Sequence, residues 1–402
     1  MKFQTALPDL LGALQTVSPA MNMGSTDLTG HFVFRKHLTD PNKVEVLTHE
    51  SNTQAAASFV GQVVTDGPSF TVPGKALMTI LDVLGDEHAS DVVVFDFDGT
   101  AVVKVYPASC IKKCYPFESK DPQNYKWFDK TLQDAKPVGT LTAERLRAAV
   151  VSAKGFVSSE ETTNPSHTVI EFQNGQLRAT NGKSLIGVVM PGTTGATLRI
   201  QLTQHLSKVL AFLGACKTDD VEMLEVSERM YFLRRGDGAV FGWTYYHNSF
   251  PKIATPKDTD DFSWKLSSRG LRNAIKAVLA GAYLAPTKVD ILAVKFSRPD
   301  ADGPVILTAN TAGKHVAAWE VPCIVASSDT GLPTHGVDFW ITQEYLQSLL
   351  NAVSGDEIVL GVNQRNKAGY IRVKEVRAGE NPAITDTYLF MLAWWKNPDS
   401  HA

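Results

Sequence analysis

The stretch Ser267 to Ala280, SSRGLRNAIKAVLA, decides how this chain is read. Leu271, Ala274, Ile275, Val278 and Leu279 recur at helical spacing, which predicts one amphipathic helix with Arg269, Arg272 and Lys276 on its polar side. The stretch holds no acidic residue. Thr142 to Lys154, TAERLRAAVVSAK, repeats the Leu-Arg step at Leu146 and Arg147, and Ala6 to Val17, ALPDLLGALQTV, is a fainter copy. A second helix follows each of these: PGKALMTILDVL from Pro73, TQHLSKVLAFLGA from Thr203 and TQEYLQSLLNAV from Thr342. Recurrence at such intervals means three copies of one module, so the function belongs to a repeated scaffold.

Length and composition agree with that reading. A chain of 402 residues divides into three domains of about 130. Hydrophobic content of 44% and charged content of 20% describe a soluble globular protein, and no apolar run is long enough to span a bilayer. Met1 to Gln4 leads straight into patterned sequence, so no signal peptide is read there. Of four cysteines only Cys110 and Cys114 lie close together, without a second pair of ligands. The expectation is a reduced, cytoplasmic protein with no metal and no cofactor.

Charge placement says more than the net charge of −3. The six helical stretches carry −1, 0, +2, +1, +3 and −1 in chain order, a surplus of +4 against −7 elsewhere. Helices sorted in this way suit a polyanion, although a solvated helix face is the better account of any single one.

The strands follow in order. HFVFR from His31 and VEVLT from Val44 flank turn formers, HTVIEF and QLRAT flank Asn174-Gly175, and both pairs read as hairpins. The run DVVVFDFDGTAVVKVYP from Asp91 looks like the first motif of haloacid dehalogenase phosphatases, in which Asp96 would be the nucleophile and Asp98 the acid/base. Strand character resumes at once after Thr100, and Gly85-Asp86-Glu87 before this run is matched by Gly355-Asp356-Glu357 later without the motif. Asp98-Gly99 is therefore read as a hairpin turn. From Phe117 to Ala135 periodicity is lost, and Trp127 and Phe128 in that connector are expected to dock on a neighbouring domain.

Ala179-Thr180-Asn181-Gly182-Lys183, Phe250-Pro251 and Tyr388-Leu389-Phe390-Met391, set in three helix-hairpin modules, resemble the bacterial DNA polymerase III beta sliding clamp over nearly the whole chain. The resemblance implies an α+β fold of three clamp domains, each with two helices on antiparallel sheet. These would be residues 1–117, 138–250 and 262–397, with a connector at 118–137, a linker at 251–261 and a tail at 398–402. It implies a homodimeric six-domain ring around double-stranded DNA, non-catalytic, with a DNA polymerase and a clamp loader as partners and no membrane. The alternatives are the phosphatase and a repeat scaffold that does not clamp.

For the residues, Arg147, Lys154, Lys208, Arg269, Arg272 and Lys276 are the candidates to face DNA without reading bases. The resemblance puts a partner-peptide pocket at Pro165, Thr180, Gly182, Lys183, Ser184, Leu185, Pro251, Leu389, Phe390, Met391 and Leu392, and a dimer seam at Val103, Val278 and Leu279. Core packing explains Val278 equally well. Members usually carry Asp-Gly-His-Arg-Leu where this chain has Asn181-Gly182-Lys183-Ser184-Leu185, and Trp394 to Ala402 extend past the usual end. The departures suggest a divergent, phage-encoded clamp with an altered pocket, and Trp394 and Trp395 as anchors of the last strand.

Overall fold

The computed structural model describes residues 1–88, 91–125, 128–159, 165–182, 184–190, 197–215, 220–227, 229–245, 250–251, 261–283, 293–311, 315–328, 330–352, 356–363, 370–376 and 387–392. Lys183, Trp127, Trp394 and Trp395 lie outside the described residues, as does most of the linker and all of the tail.

The first module comprises β1 (Lys2–Ala6), α1 (Leu7–Val17), β2 (His31–Lys36), β3 (Lys43–Glu50), β4 (Thr53–Val60), β5 (Gln62–Thr65), β6 (Phe70–Pro73), α2 (Gly74–His88), β7 (Val92–Phe97), β8 (Val102–Pro107) and β9 (Tyr115–Glu118). The connector contributes α3 (Asp129–Gln133). The middle module runs β10 (Lys136–Thr142), α4 (Ala143–Lys154), β11 (Val169–Gln173), β12 (Gln176–Thr180), β13 (Ser184–Val189), β14 (Thr197–Gln201), α5 (Ser207–Ala215), β15 (Asp220–Ser227), β16 (Met230–Arg235) and β17 (Val240–Thr244). The third has β18 (Phe262–Ser267), α6 (Ser268–Tyr283), β19 (Ala293–Arg298), β20 (Val305–Thr311), β21 (His315–Val321), β22 (Cys323–Ser327), β23 (Val337–Thr342), α7 (Gln343–Ala352), β24 (Glu357–Asn363), β25 (Tyr370–Val376) and β26 (Thr387–Leu392). The fold is α+β, and the threefold repeat is plain in the element order.

Local chemistry explains the strength of each helix signal. Ser267 Oγ accepts the Gly270 amide at 3.2 Å and Thr142 Oγ1 the Arg145 amide at 3.3 Å, so α6 and α4 start at true side-chain caps. Ala6 offers α1 no such bond, which is why that copy is faint. In the β11–β12 hairpin Asn174 and Gly175 have φ of 51° and 73°, the left-handed pair that a two-residue turn needs. One reading needs correction. Gly85, Asp86 and Glu87 are inside α2 instead of following it, so they do not mark the same turn as Asp356-Glu357.

The chain forms two compact units, Met1–Arg147 with Gly192–Tyr246, and Ala148–Pro191 with His247–Ala402. They cut through the middle module because neighbouring modules share sheets. In the first unit the sheets run β10-β15-β16-β17-β4-β3-β2-β6 and β5-β1-β7-β8-β9. In the second they run β11-β12-β13-β26-β25-β24-β18-β22 and β21-β20-β19-β23. Phenylalanines fill the first core, with Phe3 stacked on Phe95 at 4.8 Å and Phe34 5.0 Å from Phe95. Trp264, Phe339 and Phe296 stack at 5.6 and 5.3 Å in the second, with the Trp264 indole N–H donating to the Thr334 carbonyl at 2.9 Å.

The connector is docked through Phe128, one of the two aromatics expected to do so, and through Tyr125. Phe128 and Tyr125 are buried against Val33, Leu47, Phe232 and Val240, a surface built from strands of the first and middle modules. Arg35 holds α3 by donating from both terminal nitrogens to the Asp129 carboxylate at 2.7 and 2.6 Å, and from Nε to Glu45. The Arg35 guanidinium keeps the Asp129 carboxyl below the usual carboxylate range. A depressed acid stabilises the fold above its ordinary pKa, and that contribution disappears as pH falls through the lowered value. Asp129→Asn should therefore cost about 1 to 2 kcal/mol, the carboxylate being a third exposed, and should flatten the acid limb of stability against pH. Denaturant unfolding between pH 7 and 3, with amide exchange of the connector, measures both.

Candidate functional site

The candidate residues fall in two groups, each described by itself. The first is the polar side of the first helices. Arg269 and Lys276 on α6 are exposed and Arg272 between them is half-buried, forming one stripe over the buried Leu271, Ile275 and Val278. On α4, Arg147 and Lys154 are exposed, two turns apart on one face, and Arg145, counted in the charge but not proposed for contact, is exposed as well.

Lys208 does not belong with them. Its ammonium is bonded to the Glu50 carboxylate and to Thr53 Oγ1 at 3.1 Å, and burial pulls its pKa below the usual lysine value. A lysine already paired at the base of β3 and β4 is a structural tie. The charge partition also shrinks. Because α2 extends through Asp86 and Glu87 it carries −2 instead of 0, so the helical surplus falls from +4 to +2 and the remainder to −5. Positive charge is concentrated on α4 and α6.

The second surface is the turn between β12 and β13, in the second unit. Thr180 Oγ1 donates to the Ser184 carbonyl at 2.7 Å and accepts the Gly182 amide at 3.0 Å, while Asn181 Oδ1 accepts the Ser184 amide at 2.8 Å and its hydroxyl at 3.0 Å. Gly182 has φ of +86°, a conformation that favours glycine, and a Cβ there would lie 2.8 Å from His167 Cε1, so a side chain would also have to displace that ring. Pro165 begins the short helical turn that carries His167 to this point. His167 is a neighbour that no spacing in the sequence announces. Thr180, Ser184 and Leu185 are largely buried, and Phe250, beside Pro251, lies under the Arg178 guanidinium at 5.3 Å.

Antiparallel pairing of β13 with β26 sets Ser184 opposite Met391, Leu185 opposite Phe390 and Ile186 opposite Leu389. The pocket positions from the middle and third modules are thus adjacent along one ladder.

The positions expected at a dimer seam lie elsewhere. Val103, Val278 and Leu279 are 0%, 1% and 6% exposed, in the cores of their own units. Among the strands that end these sheets are β9 and β21.

The phosphatase reading fails on geometry. β7 runs antiparallel to both β1 and β8, Asp96 is paired with Lys2 at 2.9 Å, and Gly99 turns the hairpin at φ of +92°. Asp98 is exposed and accepts the Thr100 amide and hydroxyl at 2.9 and 2.6 Å, bonds that keep its carboxyl below the usual range. A cavity of about 550 Å³ on this hairpin is lined by Phe97, Thr100, Lys120 and Pro122, among others, and by neither aspartate. Among the described residues no group of His, Cys, Asp and Glu is arranged to hold a metal, and no helix is long and apolar enough to cross a membrane.

Shared antiparallel sheets with a helix pair per module define a three-module clamp scaffold. The solved structures most similar to it include the DNA polymerase sliding clamp from Bacillus subtilis, 11% identical over 99% of this chain and 100% of that one with a TM-score of 0.77. The beta subunit of Streptococcus pyogenes DNA polymerase is 12% identical over 98% and 100%, with a TM-score of 0.76, and the Caulobacter crescentus sliding clamp 15% over 98% and 99%, with 0.74. No protein-family profile and no curated sequence matches the chain. The fold is that of the bacterial DNA polymerase III beta subunit, kept at low sequence identity.

The charge assignment is tested by substitution. If the stripes on α4 and α6 meet DNA, as the sequence leads one to expect, replacing Arg147, Arg272 and Lys276 together by Ala weakens that association and reduces the slope of log affinity against log salt by about 2 to 3, through lost counterion release. Lys208→Ala should leave that slope unchanged while lowering thermal stability. Titrations at several salt concentrations read the first effect and a melting curve the second.

Proposed function

We propose that two copies of this chain close head to tail into a six-module ring around double-stranded DNA, and that the ring tethers a replicative DNA polymerase without chemistry of its own. The observation that carries the reading is a pairing rule. The return strand of one module's hairpin pairs with the last strand of the next: β4 with β17, and β13 with β26. One return strand, β21, and one last strand, β9, stand at sheet ends.

The register follows from the chain itself. Laddering from Ala6 and from Thr142, the residues before the first helices, Phe117 takes the place of Trp243. Laddering from Pro73 and Thr342, before the second helices, His315 takes the place of Thr53. Trp243 pairs with Thr53 and Val240 with Ala56. Phe117 should then pair with His315 of a second copy, and Cys114 with Ala318. The joined order β23-β19-β20-β21 with β9-β8-β7-β1 repeats β6-β2-β3-β4-β17-β16-β15-β10 element by element. Two such seams pair the β9 and β21 edges of both copies and cover Trp319, which is 49% exposed on β21.

Inside such a ring the stripes on α4 and α6 face the phosphates, and topology holds the ring on DNA while it slides. The junction of β13 and β26 is the place for a partner peptide from the polymerase or the clamp loader. The setting is the cytoplasm of a bacterial or phage-infected cell. Truncating Leu389 and Met391 to Ala should cost about 1 to 3 kcal/mol in binding of the polymerase's C-terminal peptide with the dimer intact; equal affinities would move the pocket elsewhere.

The ring is tested by one substitution. Directly opposed residues in an antiparallel ladder sit about 4.5 to 5.5 Å apart, within the range a disulfide spans, and Cys114 is exposed. Ala318→Cys, in a Cys110→Ser background, should oxidise to a covalent dimer that stays on circular DNA after loading and slides off once the DNA is cut. An open polymer, or equal retention on circular and linear DNA, overturns the reading.

A further inference from the structure

Between β8 and β9 the chain makes a short solvent-exposed loop that the clamp reading leaves without a task. The Cys110 amide donates to the Pro107 carbonyl and the Lys113 amide to the Cys110 carbonyl, each at 3.0 Å. The second bond closes a turn over Cys110 to Lys113, bringing its ends within about 7 Å, and Cys114 follows directly. Both cysteines are free thiols, Cys110 half-buried and Cys114 exposed, and Ile111 between them is 71% exposed, so the loop admits a small reagent. Disulfide formation needs Cα atoms about 4.4 to 6.8 Å apart, and the turn brings Cys110 near Lys113, the residue before Cys114. Cys114 is also the residue before β9, one of the strands that end a sheet.

The geometry points to Cys110 and Cys114 as a reversible dithiol–disulfide pair that sets how much edge β9 offers to a second copy. Through its use of the seam register this rests on the ring reading. The oxidant is a low-molecular-weight disulfide. The Cys114 thiolate attacks one sulfur of the disulfide, forming a mixed disulfide and releasing one thiolate. The Cys110 thiolate then attacks Cys114 Sγ, forming the internal bond and releasing the second thiolate. Two electrons pass from the protein thiols to the reagent, and reduction by excess thiol reverses both steps. Once tied back to Cys110, Cys114 no longer lies opposite Ala318, and the seam loses a cross-strand pair. The open form exposes Cys114 best, so oxidation also traps it.

The test uses the intact wild-type protein with oxidised glutathione. Peptide mapping should show a Cys110–Cys114 bond with the loss of two hydrogens. Exchange between labelled and unlabelled copies should quicken about 1.5- to 5-fold, the effect of one cross-strand pair, and dithiothreitol should restore the slower rate. The Cys110→Ser/Cys114→Ser double variant should exchange at one rate throughout. Mapping that finds only glutathione on Cys114, or an internal bond with unchanged exchange, overturns the proposal. A chain that is monomeric before any oxidation defeats the seam effect by a different route, the failure of the ring reading, and is recognised because no exchange occurs in the reduced state.

Discussion

Every strand that ends a sheet leaves a row of backbone donors and acceptors facing outward, and this protein is organised around where those rows are paired. Three modules that each closed on themselves would have left six such rows at module boundaries. Instead β4 takes β17 and β13 takes β26, so the middle module gives its outer strands to both neighbours. This is why the compact units fail to coincide with the repeats. It also makes the connector necessary as a brace: Phe128 and Tyr125 lie across strands of two modules, and Arg35 fastens α3 to the same sheet.

Much of the fold was legible because it is written in short-range chemistry. A Ser or Thr cap, a 3.6-residue apolar stripe and an Asn-Gly turn are each contained within a few residues, and α6, α4 and the β11–β12 hairpin formed where those signals stood. The failures share one cause. Lys208 looks like any surface lysine until β3 brings Glu50, distant by 158 positions, against it. Val103, Val278 and Leu279 are apolar whether they meet their own core or another subunit, so composition cannot assign them. His167 reaches Gly182 only because a helical turn folds it there. The α2 helix runs past Leu84 through Gly85 to His88, because a helix tolerates a glycine at a cost of about 1 kcal/mol.

The two junctions inside the chain are built on one plan but braced in different ways. In the first unit the turn from Glu50 to Thr53 is held from outside: Lys208 bonds Glu50 and Thr53, and Asn52 donates to Gln204 at 2.9 Å. Those tethers come from α5 and from the π-helical turn before it, Leu202–Leu206, so that side of the turn is covered. In the second unit the corresponding turn is braced from within, by Asn181 and Thr180 bonding to Gly182 and Ser184. A turn stabilised by its own side chains keeps its shape whatever lies against its outer side. A preformed wall spares a ligand the entropy of ordering it, which is the condition under which a short peptide gains useful affinity from a few anchors. The difference between Glu50-Ser51-Asn52-Thr53 and Asn181-Gly182-Lys183-Ser184 thus separates a turn tied to a neighbouring helix from one closed by its own side chains.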